Sequence, residues 1–170
     1  VPTSKTYKRM YPDWGWSGKT IISNAIGQGE VVMTPIQLAN MMAAVANRGY
    51  YYTPHIIKKI EGEKIDPKFT KKHVTTIDKK YFEPMISGLF DVYNFGTAAG
   101  LRVEGIDICG KTGTAENFAK INGKRTQLED HSIFVAFAPK DNPKIAIAVM
   151  IENGGFGSTI AGPIGSLMIE

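Results

Sequence analysis

The chain has 170 residues, of which 43% are hydrophobic and 21% are charged, and its formal net charge is +4 at pH 7. This composition is typical of one globular domain and excludes a disordered tail, a collagen-like chain and a coiled coil. Acidic residues are interleaved with the basic ones, which favours a mixed, solvated surface over a nucleic-acid-binding patch.

The first thirty residues are rich in aromatic residues and glycine. This pattern predicts a long loop with a short strand or helix near Thr20–Ile26. Within the loop, we expect Trp14 and Trp16 to anchor packing, with recognition of a glycan or a partner as the alternative.

The clearest predicted helix is Thr34–Arg48. Thr34 can cap its N-terminus, Pro35 suits the first helical position, and Gln37 completes a capping box. Apolar side chains recur at helical spacing along the segment. Gly49 is expected to end the helix in the left-handed conformation.

The middle of the chain predicts a strand and a second helix. Tyr50–Glu61 has the pattern of an edge strand that is interrupted by Pro54. Asp78 can cap a helix that runs to about Tyr93. Because Pro84 falls beyond the first turn of that helix, we expect either a kink or a later start.

The last third predicts an antiparallel sheet. In its third strand, isoleucine and valine alternate with alanine and methionine, so both faces are apolar and helices are expected on both. A turn rich in Pro, Asp and Asn at 139–143 makes the last two strands a hairpin, and a final helix begins near Ser158 or Thr159. The predicted fold is α+β, with about three strands: Ile106–Ala115, Ser132–Ala138 and Lys144–Glu152.

The segment Gly105–Thr112 matches the G-x-x-x-x-G-K-[ST] pattern of a phosphate-binding loop. Such a loop should follow a buried strand and open a helix, whereas residues 106–108 alternate like a strand and Gly113 follows at once. Nucleotide binding through this segment is therefore retained only as an alternative.

The same residues contain Lys111-Thr112-Gly113, a K-T-G triplet on a predicted strand, followed by Thr114. This triplet is one of three motifs of the serine acyltransferases that react with penicillin. A strand of this kind presents a cation, hydroxyls and a backbone donor in one row. Alternation places Lys111 and Gly113 on one side and the two threonines on the other.

Several further segments accompany the triplet, and together they make the chain resemble the class B penicillin-binding proteins, in particular the elongation D,D-transpeptidases of the penicillin-binding protein 2 type. The resemblance extends over nearly the whole chain. It is carried by Ile26–Gly29, Thr34–Leu38, Asn47–Gly49, Pro54-His55, Gly110–Glu116, Asp130-His131, Phe134–Pro139 and Ile151–Gly155.

The resemblance implies the C-terminal portion of one transpeptidase domain over residues 1–170, with the fold of the penicillin-binding serine transpeptidases. In that family a serine attacks the D-Ala-D-Ala end of a peptidoglycan stem peptide, and the acyl-enzyme passes to an amine on a neighbouring strand. Penicillins and other β-lactams acylate the same serine. The implied setting is the periplasmic face of the bacterial inner membrane, with membrane partners of cell-wall elongation and cell shape.

The resemblance also implies roles for individual residues. Lys111 would contact a serine of the family's S-x-N motif and assist proton transfer. Thr112 and Thr114 would hold the terminal carboxylate of the substrate through their hydroxyls, and the Thr114 N–H would donate in the oxyanion hole, which can contribute about 3–4 kcal/mol. Gly113 would let the substrate lie against the strand. Asn117 and His131 are further candidates for substrate contacts, with a structural hydrogen bond as the alternative for His131.

The chain departs from the family pattern because it contains neither S-x-x-K nor S-x-N. The chain also begins at Val1 without methionine. We therefore expect it to be a piece of a longer, membrane-anchored protein that supplies the nucleophile, and to be inactive alone. A catalytically inactive relative that binds a stem peptide or a partner is the other alternative.

The remaining candidates are weaker. Cys109 is the single cysteine, which excludes an internal disulfide and every multi-cysteine zinc motif. We expect a buried strand cysteine there in preference to a nucleophile. The three histidines have no metal-ligand spacing, so neither a metal nor a cofactor is predicted.

Overall fold

The computed structural model describes residues 2–170. Two compact units can be distinguished, residues 1–34 and residues 35–170. The K-T-G segment lies in the second unit.

The first unit contains two short helices, α1 (Ser4–Met10) and α2 (Gly18–Ala25). The prediction of a helix or strand near Thr20–Ile26 is confirmed by α2, whereas α1 was not predicted. Tyr7 of α1 is buried and its phenol accepts a hydrogen bond of 2.6 Å from the Asn24 side chain.

The two tryptophans of this unit contribute little to packing. Trp14 stacks on Tyr11 with ring centroids 4.3 Å apart, yet Trp14 is 58% exposed and Trp16 is 54% exposed. The expectation that both anchor packing is wrong, since more than half of each side chain faces solvent.

The second unit opens with the helix α3 (Pro35–Ala46). Its C-terminal end lies two residues before the predicted Arg48, and the left-handed residue that ends the helix is Arg48, with φ +56°, one position before the predicted Gly49, whose φ is +104°. The chain then pairs only briefly as β1 (Tyr50–Tyr51) with the later β2 (His73–Val74). The predicted strand Tyr50–Glu61 is therefore wrong beyond Tyr51, and residues 52–61 form no strand and are mostly exposed.

Two helices follow β1 along the chain, one before β2 and one after it. A single helical turn, α4, spans Pro67–Thr70, and the long helix α5 spans Phe82–Phe95. Asp78 accepts a hydrogen bond of 3.1 Å from the Lys80 N–H and caps a 3₁₀ turn that precedes α5. The predicted later start is confirmed, since Pro84 then falls within the first turn of α5, where a missing N–H costs nothing.

The central sheet is antiparallel and has the strand order β3-β6-β7. Its strands are β3 (Cys109–Ala115), β6 (His131–Ala138) and β7 (Ile145–Ile151), as predicted to within three residues. Ala138 lies opposite Ile145, which confirms the predicted hairpin. A separate two-stranded hairpin, β4 (Phe118–Ile121) with β5 (Lys124–Gln127), was not predicted.

Helices cover both faces of the sheet, as predicted from the doubly apolar strands. On one face Phe134, Ile147 and Val149 pack with the last helix, α6 (Ala161–Ile169), around Ala161. On the other face the side chains of α3 and α5 pack against Cys109 and Phe137 in a second cluster, which includes Met42, Val45, Phe82 and Ile86.

Within residues 2–170, none of the helices combines the length and apolar character needed to cross a membrane. The same residues contain no group of three or more His, Cys, Asp or Glu side chains arranged to hold a metal ion.

Candidate active site

The K-T-G segment lies on β3, at the edge of the three-stranded sheet. Lys111 pairs with Val135, and Gly113 pairs with Ile133. Side chains alternate along a strand, so Lys111 and Gly113 share the face of the buried Cys109, where α3 and α5 pack. Thr112 and Thr114 belong to the opposite face. The predicted alternation is therefore present.

Lys111 is exposed, and its ammonium donates a hydrogen bond of 2.8 Å to the carbonyl oxygen of Thr112. Among residues 2–170 it forms no ion pair with a carboxylate. Its strand has β6 on one side and no strand partner on the other within the described chain. A cation thus stands beside an open strand edge, where it can meet a ligand or another part of a larger protein.

The two threonine hydroxyls of the segment already have contacts within the fold. The Thr112 hydroxyl lies 2.9 Å from the Thr97 hydroxyl, in an exposed pair. The Thr114 hydroxyl accepts a longer hydrogen bond of 3.4 Å from the Gly157 N–H. A single ligand that contacts both Lys111 and these hydroxyls must lie along the open edge of β3, because they belong to opposite faces of the strand.

Asn117 and His131 meet at Asn153, in the turn that follows β7. The Asn117 amide donates to the Asn153 side-chain oxygen at 2.6 Å, and the Asn153 N–H donates to His131 Nδ1 at 3.1 Å. Nδ1 therefore carries no proton, and the neutral His131 ring carries its proton on Nε2. The structural hydrogen bond weighed for His131 is present.

Asn153 was not identified as a site residue from the sequence. It has φ +53°, in the left-handed region that asparagine tolerates better than most residues. An Asn-Gly-Gly run such as that at 153–155 is typical of a turn, but no sequence pattern shows that this turn reaches the ends of both β3 and β6.

Ser132 and Gly157 are two more residues that sequence reasoning missed. The buried Ser132 hydroxyl donates to the Phe156 carbonyl and accepts from the Ala161 N–H, each at 3.0 Å. A Cβ at Gly157 would lie 2.8 Å from the Gly113 nitrogen and still closer to the carbonyl oxygens of Gly113 and Ile133. The segment before α6 thus packs directly on the K-T-G strand.

Cys109 occupies the sheet interior and is fully buried. Burial raises the pKa of its thiol to about 12 from an ordinary value near 9. A thiol with so high a pKa is a poor nucleophile at neutral pH, which confirms the expectation of a structural cysteine.

We expect native Cys109 to resist a maleimide reagent at pH 8 and to react once the chain is denatured. The folded thiol has the higher pKa, so its stabilising contribution is complete below about pH 9 and is lost progressively as the pH rises toward 12. Mass spectrometry of the labelled chain and thermal melts between pH 7 and pH 10 measure both effects. Rapid labelling of the native chain would contradict the burial of this thiol.

The segment Gly105–Thr112 lacks the geometry of a phosphate-binding loop. Its second half, from Cys109 onward, is a strand paired residue by residue with β6, and the next regular element is the strand β4. A phosphate-binding loop instead turns its backbone N–H groups toward the ligand at the start of a helix.

Comparisons with known proteins place these features in context. A family model described as the penicillin binding protein transpeptidase domain matches residues 5–170. Peptidoglycan D,D-transpeptidase MrdA of Haemophilus influenzae is 32% identical to the chain over an alignment 183 positions long. This alignment covers 100% of the chain and 28% of that protein.

Two solved structures are similar to the chain. PBP2 of Pseudomonas aeruginosa, in complex with WCK 5153, matches 99% of the chain with a TM-score of 0.75 and 34% identity. Penicillin-binding protein A of M. tuberculosis, as its imipenem acyl-enzyme complex, matches 85% of the chain with a TM-score of 0.65 and 26% identity. The chain spans 35% of the first structure and 32% of the second.

Proposed function

This chain belongs to the penicillin-binding protein transpeptidase domain family, and from that premise we propose that it forms the C-terminal portion of the transpeptidase domain of a peptidoglycan D,D-transpeptidase. The family and the α+β fold agree with those predicted from the sequence. The observation that carries the proposal is the K-T-G-T segment on the open strand edge, with Lys111 exposed and without a carboxylate partner among residues 2–170.

The nucleophilic serine is proposed to lie outside residues 1–170, because this chain has no S-x-x-K sequence. That serine attacks the carbonyl carbon of the penultimate D-Ala of a stem peptide, and the terminal D-Ala leaves with a proton. An amine of a second stem peptide then attacks the acyl-serine ester and restores the serine hydroxyl. The 170-residue chain alone is inactive in this proposal.

The residues of β3 are assigned to binding and to proton transfer. Lys111 contacts a serine of the missing wall of the site and assists the transfer of the proton. The Thr112 and Thr114 hydroxyls bind the terminal carboxylate, and the Thr114 N–H donates to the oxyanion. Gly113 leaves room for the peptide, as the absence of a side chain there allows a strand-like ligand to approach.

Asn117 and His131 are proposed to contact the substrate at the end of the sheet where β3 finishes and β6 begins. Their hydrogen bonds to Asn153 support this role, because they fix the orientation of both side chains. With Nδ1 engaged, the His131 ring is left to donate from Nε2 to a ligand.

The proposed ligands are D-Ala-D-Ala stem peptides and β-lactams, which react with the same serine. The imipenem acyl-enzyme of a structural relative supports the second. An extracytoplasmic location follows, since MrdA relatives are named as peptidoglycan enzymes. Anchoring of the parent protein at the periplasmic face of the inner membrane, and membrane partners of wall elongation, belong to the same proposal.

The experiment incubates a β-lactam with the full-length protein that contains this chain and, in parallel, with the 170-residue chain, and it weighs both by mass spectrometry. We expect one adduct on the full-length protein, at a serine outside residues 1–170, and none on the chain alone. An adduct within residues 1–170 would show that the nucleophile is misassigned. No adduct on either protein would reject the transpeptidase and favour an inactive peptide-binding relative.

A further inference from the structure

The β4–β5 hairpin has a fixed register and therefore two defined faces. Ile121 pairs with Lys124 across a two-residue turn, in which Asn122 has φ +50° and Gly123 has φ +79°. These positive angles are those of a type I′ turn, which matches the twist of the flanking strands. One face consequently presents Phe118, Lys120, Arg125 and Gln127 together.

This face places two like charges directly opposite each other. Lys120 is the cross-strand partner of Arg125, and both are exposed. Opposed side chains in an antiparallel pair have Cβ atoms about 5 Å apart, and like charges at that distance destabilise a hairpin. Neither cation forms an ion pair with a carboxylate within residues 2–170.

One of the two cations, Arg125, is held in place. The Arg125 guanidinium carbon lies 3.8 Å from the centre of the Phe118 ring, a cation–π contact that holds the guanidinium on the same face as Lys120. All four residues of β5 are exposed, so burial of a core does not explain the pair. Two opposed cations that destabilise the hairpin, one of them held by an aromatic ring, fit a surface at which an anion binds between them.

The position of the hairpin connects it with the K-T-G strand. Only Glu116 and Asn117 separate β3 from β4, and the Leu128 N–H closes the base of the hairpin with a hydrogen bond of 2.9 Å to the Asn117 carbonyl. The Asn117 side chain ties this base to Asn153 at the end of β7. The hairpin is thus anchored at the end of the strand along which the peptide substrate is proposed to lie.

We propose that Lys120 and Arg125 form a docking surface for a side-chain carboxylate of the stem peptide, distinct from the terminal carboxylate bound at β3. A carboxylate between the two cations would turn their repulsion into two favourable interactions, and the guanidinium can hold both carboxylate oxygens. This inference rests on the proposed function, because it takes its ligand from the peptide that the site would process.

The test compares Lys120→Gln/Arg125→Gln with a matched control, Lys58→Gln/Lys59→Gln, in the full-length protein. The control removes the same charge from another exposed segment. Fluorescence anisotropy measures binding of a dye-labelled pentapeptide that ends in D-Ala-D-Ala and has free side-chain carboxylates, and of the same peptide with those carboxylates amidated. We expect about tenfold weaker binding of the acidic peptide by the hairpin variant alone, and no change for the amidated peptide.

Two further measurements separate recognition from folding and from catalysis. The melting temperature of the hairpin variant should stay close to that of the wild type, because the lost repulsion offsets the lost cation–π contact with Phe118, and its rate of penicillin acylation should be unchanged. A large drop in melting temperature, an equal loss in the control, or an equal loss for the amidated peptide would overturn the proposal. If the wild-type protein binds the acidic peptide more tightly than the amidated one but is not acylated by penicillin, the carboxylate-binding role of the hairpin stands and the proposed transpeptidase function is refuted.

Discussion

Lys111→Ala is expected to slow acylation by penicillin about 10²- to 10⁴-fold in the full-length protein, the range that general acid–base catalysis contributes. The substitution removes the one cationic side chain of the K-T-G segment, the group assigned to proton transfer. It should leave folding intact, since Lys111 is exposed and its ammonium donates a hydrogen bond to the carbonyl of the neighbouring Thr112 and forms no ion pair within residues 2–170. Acylation rates from stopped-flow or gel-based labelling with a fluorescent penicillin measure the effect.

Lys144→Ala is the matched control for Lys111→Ala. Lys144 is also an exposed lysine of this unit, but it precedes β7 and lies on the other side of the central strand from β3. We expect wild-type acylation for this variant and unchanged melting temperatures for both. An unchanged acylation rate in Lys111→Ala would refute the assigned role, and equal losses in both variants would show that the charge acts at long range and not at the serine.

The sheet and its two helical layers were predictable because their sequence patterns are local. Both faces of β7 are apolar, and that pattern predicts helices packed on both faces of the sheet, whatever the position of the strand within it. The end of α3 was local only in part: Gly49 indicated that the helix stops nearby, but the left-handed conformation that ends it falls on Arg48, which has no special preference for it. Predicting the orientation of Lys111 against Thr112 needed only the alternation of a strand.

The wrong predictions concern segments whose secondary structure depends on pairing with a distant part of the chain. The residues after Tyr51 have the composition of a strand, but within residues 2–170 no strand pairs with them, so they form none. The hairpin from Phe118 to Gln127 carried a usable signal, the Asn122-Gly123 dipeptide, which is a strong indicator of a two-residue hairpin turn. Its polar composition masked that signal, because no buried face marks its strands.

The residues that position the candidate site could not be predicted from the sequence, for a different reason. Asn153 reaches His131 from 22 residues away, and the contact depends on a positive φ that no pattern specifies. Ser132 stands out as a polar residue in an apolar strand, but its partners Phe156 and Ala161 become neighbours only when α6 packs on the sheet. Motifs identify the residues that perform chemistry more readily than those that position them.

Gly157→Ala is expected to lower the free energy of unfolding by about 1–3 kcal/mol, the usual cost of overpacking. The added methyl group would meet backbone atoms of Gly113 on β3 and Ile133 on β6, with the Gly113 nitrogen at 2.8 Å. Backbone in a paired sheet cannot move aside as a flexible side chain can. The segment before α6 must therefore lift away from the K-T-G strand, which weakens the hydrogen bond from the Gly157 N–H to Thr114.

Gly100→Ala provides the control for Gly157→Ala, because a Cβ at Gly100 meets no atom within 4 Å and this glycine is exposed. We expect its stability to stay within about 0.5 kcal/mol of the wild type, as for most surface substitutions. Urea unfolding of both variants measures the difference. Equal stability of the two would show that the segment before α6 does not press on β3. A loss confined to Gly157→Ala, together with slower penicillin acylation, would show that this segment holds the strand in the position that the proposed chemistry requires.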